Sequence, residues 1–209
     1  MNFIMKLLIK ICFKIFGKSS YYIPFINNII YSNSKLKSDI LNNEKILKKF
    51  DINIKDLKKK LSKFNIDYFA HDISWHYFIF CGFSLKKNNL NILEIGTSEG
   101  NFTNFLSKIF ISSKITTIDL PVKQLRELNK QMSNLQFEFF IKKKKFNLNR
   151  TNIEYIEMNS KDLLKNFNEN TFDLIWIDGD HKAPQVGQDI DSSLKIIKDK
   201  GIVCCDDIV

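Results

Sequence analysis

The chain of 209 residues is poor in cysteine, proline and glycine, with four, three and seven of them respectively. The cysteines are Cys12, Cys81, Cys204 and Cys205, and their spacing matches neither a disulfide framework nor a zinc site. Reduced thiols in a cytoplasmic protein fit this pattern best. No internal repeat or low-complexity tract is present beyond an abundance of Lys, Asn and Ile, which excludes a repeat architecture.

Long uninterrupted apolar runs are also absent, so the sequence predicts no membrane-spanning helix. The apolar N-terminal segment, residues 3–18, is interrupted at every fourth position by Lys6, Lys10, Lys14 and Lys18. These lysines do not suit the core of a signal peptide. Two interpretations stay open. A basic amphipathic helix would lie peripherally on an anionic surface, the inner membrane surface, or it would dock on the protein itself.

The net charge of +9 would ordinarily suggest a polyanionic partner. A general excess of lysine explains much of this charge, and no basic motif interleaved with aromatic residues is present, so nucleic-acid binding is not predicted. The run Lys142–Lys145 is interpreted as a solvated helix face or loop. The length supports one α/β domain and an appended segment. We predict a helical extension over residues 1–65 and a cofactor-binding domain over residues 66–209.

The most informative segment is Asn91–Thr103, in which an apolar run ends in Glu-x-Gly-x-x-x-Gly and opens into a helical pattern. The apolar run suits a buried parallel strand. At the turn, glycine lets the backbone bend tightly and approach a ligand, and the helix N-terminus offers unpaired N–H groups. A structural turn without a ligand would use the same residues.

The spacing of the glycines separates two kinds of nucleotide site. The Rossmann fingerprint Gly-x-Gly-x-x-Gly would require glycines where this chain has Ser98 and Asn101. The observed motif instead resembles the first motif of class I S-adenosylmethionine-dependent methyltransferases. This resemblance implies a Rossmann-like, doubly wound and mostly parallel sheet. It assigns the following residues to the cofactor: Glu94, Gly96, Thr97, Ser98 and Gly100.

A second strand, Lys114–Asp119, ends in a carboxylate about twenty residues after the glycine motif, where a ribose would lie. Asp119 is placed to accept hydrogen bonds from both ribose hydroxyls. Alternatively, it caps the next helix, which starts near Pro121. A third strand, Ile153–Glu157, leads into Asn159 and Ser160. The resemblance implies that these two residues contact the adenine, although the family commonly has aspartate where Asn159 stands.

Two further strands end in carboxylates. The first is Phe172–Asp178, and the second is Gly201–Asp206, which Asp207 follows directly. A helix between them would have one apolar face formed by Val186, Ile190, Leu194 and Ile197. This order makes the strands neighbours in a βαβ unit, so their three carboxylates should meet at one edge of the sheet.

Converging carboxylates repel one another unless a cation lies between them, and oxygen ligands suit Mg²⁺. The pattern Asp-Gly-Asp-His followed by Asp-Asp resembles the metal-dependent O-methyltransferases that act on sugar and polyketide hydroxyls. This resemblance implies that Asp178, Asp206 and Asp207 bind the metal. Without a metal, Asp180 and Asp207 would cap helices and Asp206 would be solvated.

His181 is the candidate general base beside Asp178, because an imidazole that titrates near neutral pH can take a hydroxyl proton. The alternative is a surface histidine in a loop. We predict O-methylation of a small hydroxylated molecule, such as a sugar or glycosylated metabolite. A metal-independent methyltransferase and a non-catalytic cofactor-binding or membrane-associated fragment are the competing interpretations.

The resemblance also raises an expectation about the C-terminus. Class I methyltransferases normally continue beyond strand five, whereas this sequence stops at Val209. We therefore expect a sheet truncated after its fifth strand. Either the sequence is a fragment, or a partner, such as another copy in a homo-oligomer, completes it.

Overall fold

The computed structural model describes residues 44–45, 47–64 and 76–206. Two compact units divide the chain, Met1–Lys86 and Lys87–Val209. No helix within the described ranges is long and apolar enough to cross a membrane.

Several predictions fall on residues that the structure does not describe. They concern the basic segment at residues 3–18, the domain boundary after residue 65 and the third predicted metal ligand, Asp207. All three stay predictions.

The first unit contains helices α1 (Ile54–Ser62) and α2 (His76–Lys86). Asn53 starts α1 as its N-cap, because its Oδ1 accepts a hydrogen bond from the backbone N–H of Lys55 at 2.9 Å. Leu57 and Leu61 lie on one side of α1 and are fully buried. The two helices pack against each other through such apolar faces.

The second unit is built on a five-stranded sheet in which every neighbouring pair is parallel. The strands are β1 (Asn91–Ile95), β2 (Lys114–Asp119), β3 (Ile153–Glu157), β4 (Phe172–Ile177) and β5 (Ile197–Cys205). Their order is β3-β2-β1-β4-β5. Strands β1, β2 and β3 thus run from the centre of the sheet to one edge, and β4 and β5 extend it to the other edge. This confirms the predicted doubly wound α/β sheet.

Helices connect the strands of this sheet. They are α3 (Asn101–Ile109), α4 (Val122–Leu128), α5 (Asn134–Leu148), a 3₁₀ turn (Ser160–Asp162), α6 (Leu163–Asn166) and α7 (Gln185–Ile196). Helix α3 buries four apolar residues that recur at helical spacing: Phe102, Phe105, Leu106 and Ile109. Helix α5 begins with a capping box, in which Ser133 and Gln136 exchange side chain to backbone hydrogen bonds.

The core of the unit lies on the central strands. Apolar side chains from β1, β2 and β4 form one buried cluster together with residues of α6 and α7. Its fully or almost fully buried members are Leu93, Ile95, Ile118, Leu163, Phe172, Ile175, Ile177 and Ile196. This packing fixes the strand ends that carry the candidate site residues.

The predicted apolar face of α7 is wrong in part. Leu194 is 60% exposed, and the buried residues of α7 are Asp189, Ser193 and Ile196. The buried face tolerates Asp189 because the Nε2 of Gln185 donates to its Oδ1 at 2.7 Å. Ile197, predicted as the end of the face, instead begins β5.

Candidate cofactor site

A cleft of about 660 Å³ lies at the carboxyl ends of β1, β2 and β4, where the strand order reverses. Parallel α/β sheets bind ligands at this position because the connecting loops diverge there. Six of the predicted site residues line it: Gly96, Ser98, Asp119, Asn159, Ser160 and Asp178. Apolar side chains line the part nearest α4 and α5, among them Leu125, Leu128, Met132 and Phe140. The cleft therefore combines an apolar wall with convergent polar groups.

Gly96 directly follows β1 and lies against the end of β4. Its φ of +98° is left-handed, and a Cβ atom there would lie 2.2 Å from the carbonyl oxygen of Asp178. The backbone N–H of Asp178 donates to the oxygen of Ile95 at 2.8 Å, and that of Gly96 donates to Ile118 at 2.9 Å. Only glycine permits this approach, which brings Asp178 against the turn.

Gly100 makes the second half of the turn. With φ at +72° it is the N-cap of α3 and supplies no side chain to that helix end. Its N–H donates to the carbonyl of Thr97 at 2.8 Å, which closes the turn. The resulting helix N-terminus carries backbone amides and a positive dipole end, the arrangement that suits a carboxylate or phosphate group.

Glu94 lies beneath the turn in a buried hydrogen-bond network, and its contact with the cofactor stays a prediction. Its side chain is 1% exposed and does not line the cleft. Its Oε2 accepts hydrogen bonds from the hydroxyls of Thr103, at a short distance, and Thr117, at 2.6 Å. Burial raises the pKa of Glu94 from 4.5 to about 8. The acid is therefore mostly protonated at neutral pH and ties α3 to β2.

Thr97, also predicted to contact the cofactor, belongs to the same buried network. Its hydroxyl lies 2.7 Å from that of Thr117, and its side chain does not line the cleft. Either hydroxyl of this Thr97–Thr117 pair can be the donor, because each can both donate and accept. The network supports the buried side of the turn. The backbone and Ser98 form the side that faces the cleft.

Asp119 follows the predicted geometry at the end of β2 and lines the cleft. Its Oδ2 accepts from the backbone N–H of Ser98 at 3.0 Å, and its Oδ1 accepts from that of Leu120 at 2.8 Å. It does not cap α4, whose N-cap Pro121 has no side-chain hydrogen bond. The carboxylate thus belongs to the cleft and to the glycine turn.

Lys144 also belongs to this site, so the prediction that the run Lys142–Lys145 is solvated is wrong at this position. Its side chain is 4% exposed, and its Nζ lies 2.6 Å from Asp119 Oδ2. Helix α5 turns this position inward, on the same face as Phe137 and Asn147. The spacing from Phe137 and Asn147 was the available signal, since both lie on the helical side that contains position 144.

Asn159 and Ser160 lie beyond β3 at the other end of the cleft. The Oδ1 of Asn159 accepts from the N–H of Lys161 at 3.0 Å and so caps the 3₁₀ turn. The Oγ of Ser160 accepts from the Nε2 of Gln185 at 3.0 Å, and that amide also donates to Asp189. Gln185 lines the cleft as well, and nothing in the sequence pattern marked it.

Asp178 and Asp206 follow the neighbouring strands β4 and β5, as predicted. The N–H of Asp206 donates to the carbonyl of Ile177 at 2.9 Å, which keeps the two chain segments in register. The Nε2 of His181 lies 3.7 Å from Asp178 Oδ1, and both side chains are about a third to two-fifths exposed. Asp178 and Asp180 line the cleft, whereas His181 lies beside it.

The sequence of this unit also matches a known family. Residues 93–208 match the family described as "Methyltransferase domain", and this span covers more than half of the chain. The chain belongs to this family of methyltransferase domains. The resemblance of the first motif to S-adenosylmethionine-dependent methyltransferases makes S-adenosylmethionine the cofactor to compare with the cleft. No curated protein sequence is significantly similar to the chain.

Solved methyltransferase structures resemble the fold at low sequence identity. An S-adenosylmethionine dependent methyltransferase from Mesorhizobium loti is 17% identical, with 56% of this chain and 46% of that chain covered and a TM-score of 0.39. Precorrin-6y C5,15-methyltransferase from Geobacter metallireducens is 15% identical, with 62% and 59% covered and a TM-score of 0.45. The chain thus spans about half the length of these two proteins.

The methyltransferase cleft fits S-adenosylmethionine in size and chemistry. Its volume lies within the range of about 300–1,000 Å³ that is usual for small-molecule sites. Gly96 leaves the backbone uncovered at the turn, Asp119 offers an acceptor for hydroxyl groups, and Met158 is among the apolar residues that an adenine ring could contact.

The fit to a metal ion is weaker in the described part of the methyltransferase domain. There, no group of three or more His, Cys, Asp or Glu side chains is placed to hold a metal. Asp178 and Asp206 supply two carboxylates at adjacent strand ends. The predicted ligand set with Asp207 stays a prediction.

Proposed function

We propose that this methyltransferase domain transfers the methyl group of S-adenosylmethionine to a hydroxyl oxygen of a small molecule, such as a sugar or glycosylated metabolite. The observation that carries the proposal is the cleft that brings Gly96, Asp119 and Asp178 together at three neighbouring strand ends. An acceptor would reach the methyl group from the β4 side, where Asp178 and His181 lie.

The polar groups of the cleft would contact three different parts of the cofactor. Asn159 and Ser160 lie beyond β3, at the adenine end, and Asp119 at the end of β2 would accept from the ribose. The glycine turn and Asp178 would contact the methionine part, whose charged amino group suits a carboxylate. Asp178 therefore has a cofactor role besides any part in the reaction.

The bound cofactor supplies an electrophilic methyl group on a sulfonium sulfur. The chain has to supply a base for the proton of the acceptor hydroxyl, and we assign this role to His181. Asp178 Oδ1, 3.7 Å from the Nε2 of His181, would stabilise the imidazolium formed when the ring accepts that proton. The partial exposure of His181 beside the cleft leaves it accessible to an entering acceptor.

A transfer assay tests this assignment directly. Labelled S-adenosylmethionine is incubated with a panel of hydroxylated sugars and glycosides, using the wild type, His181→Asn and the control Lys182→Met, which alters the exposed neighbouring residue. We expect His181→Asn to lower the transfer rate by about 10²–10⁴-fold while its cofactor affinity is unchanged. Equal transfer rates in the wild type and His181→Asn would refute the role of His181.

The metal-assisted and metal-independent forms of this reaction differ in their response to chelation. The metal-assisted form depends on Asp207, which would join Asp178 and Asp206 as the third ligand and lies outside the described residues. Transfer that survives EDTA, and is unchanged in Asp207→Asn, identifies the metal-independent form. Transfer that EDTA abolishes and added Mg²⁺ restores identifies the metal-assisted form.

A further inference from the structure

The ion pair between Lys144 and Asp119 is almost completely enclosed. Its side chains are 4% and 11% exposed, and the Nζ and Oδ2 atoms are 2.6 Å apart. Lysine is almost never fully buried unless it is paired, since desolvation of the ammonium is costly. Asp119 provides the charge that makes this burial possible, and Lys144 in turn acts on the carboxylate that faces the cleft.

The position of the ammonium group is fixed by more than the ion pair. The Nζ of Lys144 donates to the Oη of Tyr155 at 3.4 Å and lies over two aromatic rings, 5.1 Å from the centroid of Tyr155 and 5.6 Å from that of Phe140. A cation over an aromatic face is attracted by the ring quadrupole. The lysine is therefore held by β3 and by its own helix.

Helix α5 itself is fastened to the glycine turn. One turn after Lys144, the Nδ2 of Asn147 donates to the carbonyl of Glu99 and to the Oδ1 of Asn101, both at 2.9 Å. The Nζ of Lys143 lies 2.5 Å from Glu99 Oε2. Lys144 thus approaches Asp119 from a helix whose position is fixed by its contacts with the glycine turn.

The hydrogen bonds of Asp119 leave little freedom for its carboxylate. Oδ2 accepts from Lys144 and from the N–H of Ser98, and Oδ1 accepts from the N–H of Leu120. A carboxylate offers about four acceptor positions in total. Within the described ranges, one position on Oδ1 has no donor.

We propose that Lys144 is a positioning residue for the cofactor ribose: it fixes Oδ2 of Asp119 and so directs the open acceptor position of Oδ1 to a ribose hydroxyl. This inference rests on the proposed cofactor site. Without the ammonium, Oδ2 would keep only its hydrogen bond from the N–H of Ser98. The carboxylate could then rotate away from the ribose. Lys144 does not line the cleft and would act only through Asp119.

The test measures by calorimetry how a substitution at Lys144 changes the affinity for two ligands, one with and one without the ribose hydroxyls. The ligands are S-adenosylhomocysteine and its 2′,3′-dideoxy analogue, and the proteins are the wild type, Lys144→Met and the control Lys145→Met, which removes the exposed neighbouring lysine. We expect Lys144→Met to weaken binding of S-adenosylhomocysteine about tenfold or more. Its affinity for the dideoxy analogue should match that of the wild type, and Lys145→Met should bind both ligands normally.

Each other outcome overturns the inference in a recognisable way. Equal losses for both ligands would give Lys144 a structural role only, and no loss for either ligand would remove it from the site. A folded wild type that binds neither ligand would refute the proposed function and the inference together. If circular dichroism shows that Lys144→Met does not fold, Lys144→Gln and Lys144→Arg carry the same cycle, and the arginine variant, which keeps a cation, should retain more of the ribose-dependent affinity.

Discussion

The buried acid Glu94 predicts an unusual dependence of stability on pH. Burial raises its pKa from 4.5 to about 8 in the folded state, whereas the unfolded chain should have the ordinary value. Between these two values the folded protein binds more protons than the unfolded chain. The stabilising contribution is therefore fully present below the unfolded pKa and is lost as the pH rises through the folded pKa. Glu94→Gln, which places a neutral amide there, should lack this dependence.

The expected size follows from the pKa shift. Each pH unit between the two values lowers the free energy of unfolding by about 1.4 kcal/mol for one carboxyl group. The slope flattens near the folded pKa, so the loss from about pH 6 to about pH 8 is roughly 2 kcal/mol. Glu94 is almost completely enclosed, so solvent screening does not diminish this effect.

Denaturant unfolding of the wild type and Glu94→Gln at several pH values measures the difference. Other titrating groups are common to both proteins and cancel. We expect the stability of the wild type, relative to the variant, to fall by roughly 2 kcal/mol over this interval. Glu154→Gln, which changes an exposed carboxyl group on β3, is the control and should run parallel to the wild type. If the Glu94 variant also runs parallel to the wild type, Glu94 has an ordinary pKa and the reasoning is refuted.

Two further substitutions test the glycine turn and its support. Gly96→Ala would place a methyl group 2.2 Å from the carbonyl oxygen of Asp178, at a φ of +98° that alanine rarely adopts. The melting temperature, measured by thermal unfolding, and the cofactor affinity, measured by calorimetry, should therefore both fall. A variant that is normal in both would contradict the described turn. Asn147→Leu removes the amide that donates to Glu99 and Asn101 and should cost about 1–3 kcal/mol of stability in a denaturant titration, whereas no change would show that the amide is not needed.

The arrangement of the sheet could be predicted because its signals are local. Apolar runs mark each strand, and the glycines of the first motif mark a turn that only glycine can adopt. The parallel order then brings the strand ends together, so the positions of Asp119 and Asp178 at the cleft followed from connectivity. These residues needed no knowledge of side-chain packing.

The burial of single polar residues could not be predicted in the same way. Lys144 is buried because Asp119, 25 residues earlier in the chain, supplies its counter-charge, and Glu94 is buried because Thr103 and Thr117 supply hydrogen-bond donors. Such partners are set by tertiary packing, which leaves no periodic signal in the sequence. The buried Asp189 on α7 has the same explanation, since Gln185 satisfies one of its oxygens.

The central claim is that the cleft at the ends of β1, β2 and β4 binds S-adenosylmethionine through Asp119. Calorimetric titration of the wild type and Asp119→Asn with S-adenosylmethionine tests it most directly. The asparagine variant keeps the side-chain volume, although it leaves the buried Lys144 without its counter-charge, so circular dichroism must first show that it is folded. We predict saturable binding by the wild type and an affinity at least about tenfold lower in the folded variant. A folded wild type that does not bind S-adenosylmethionine would contradict the account.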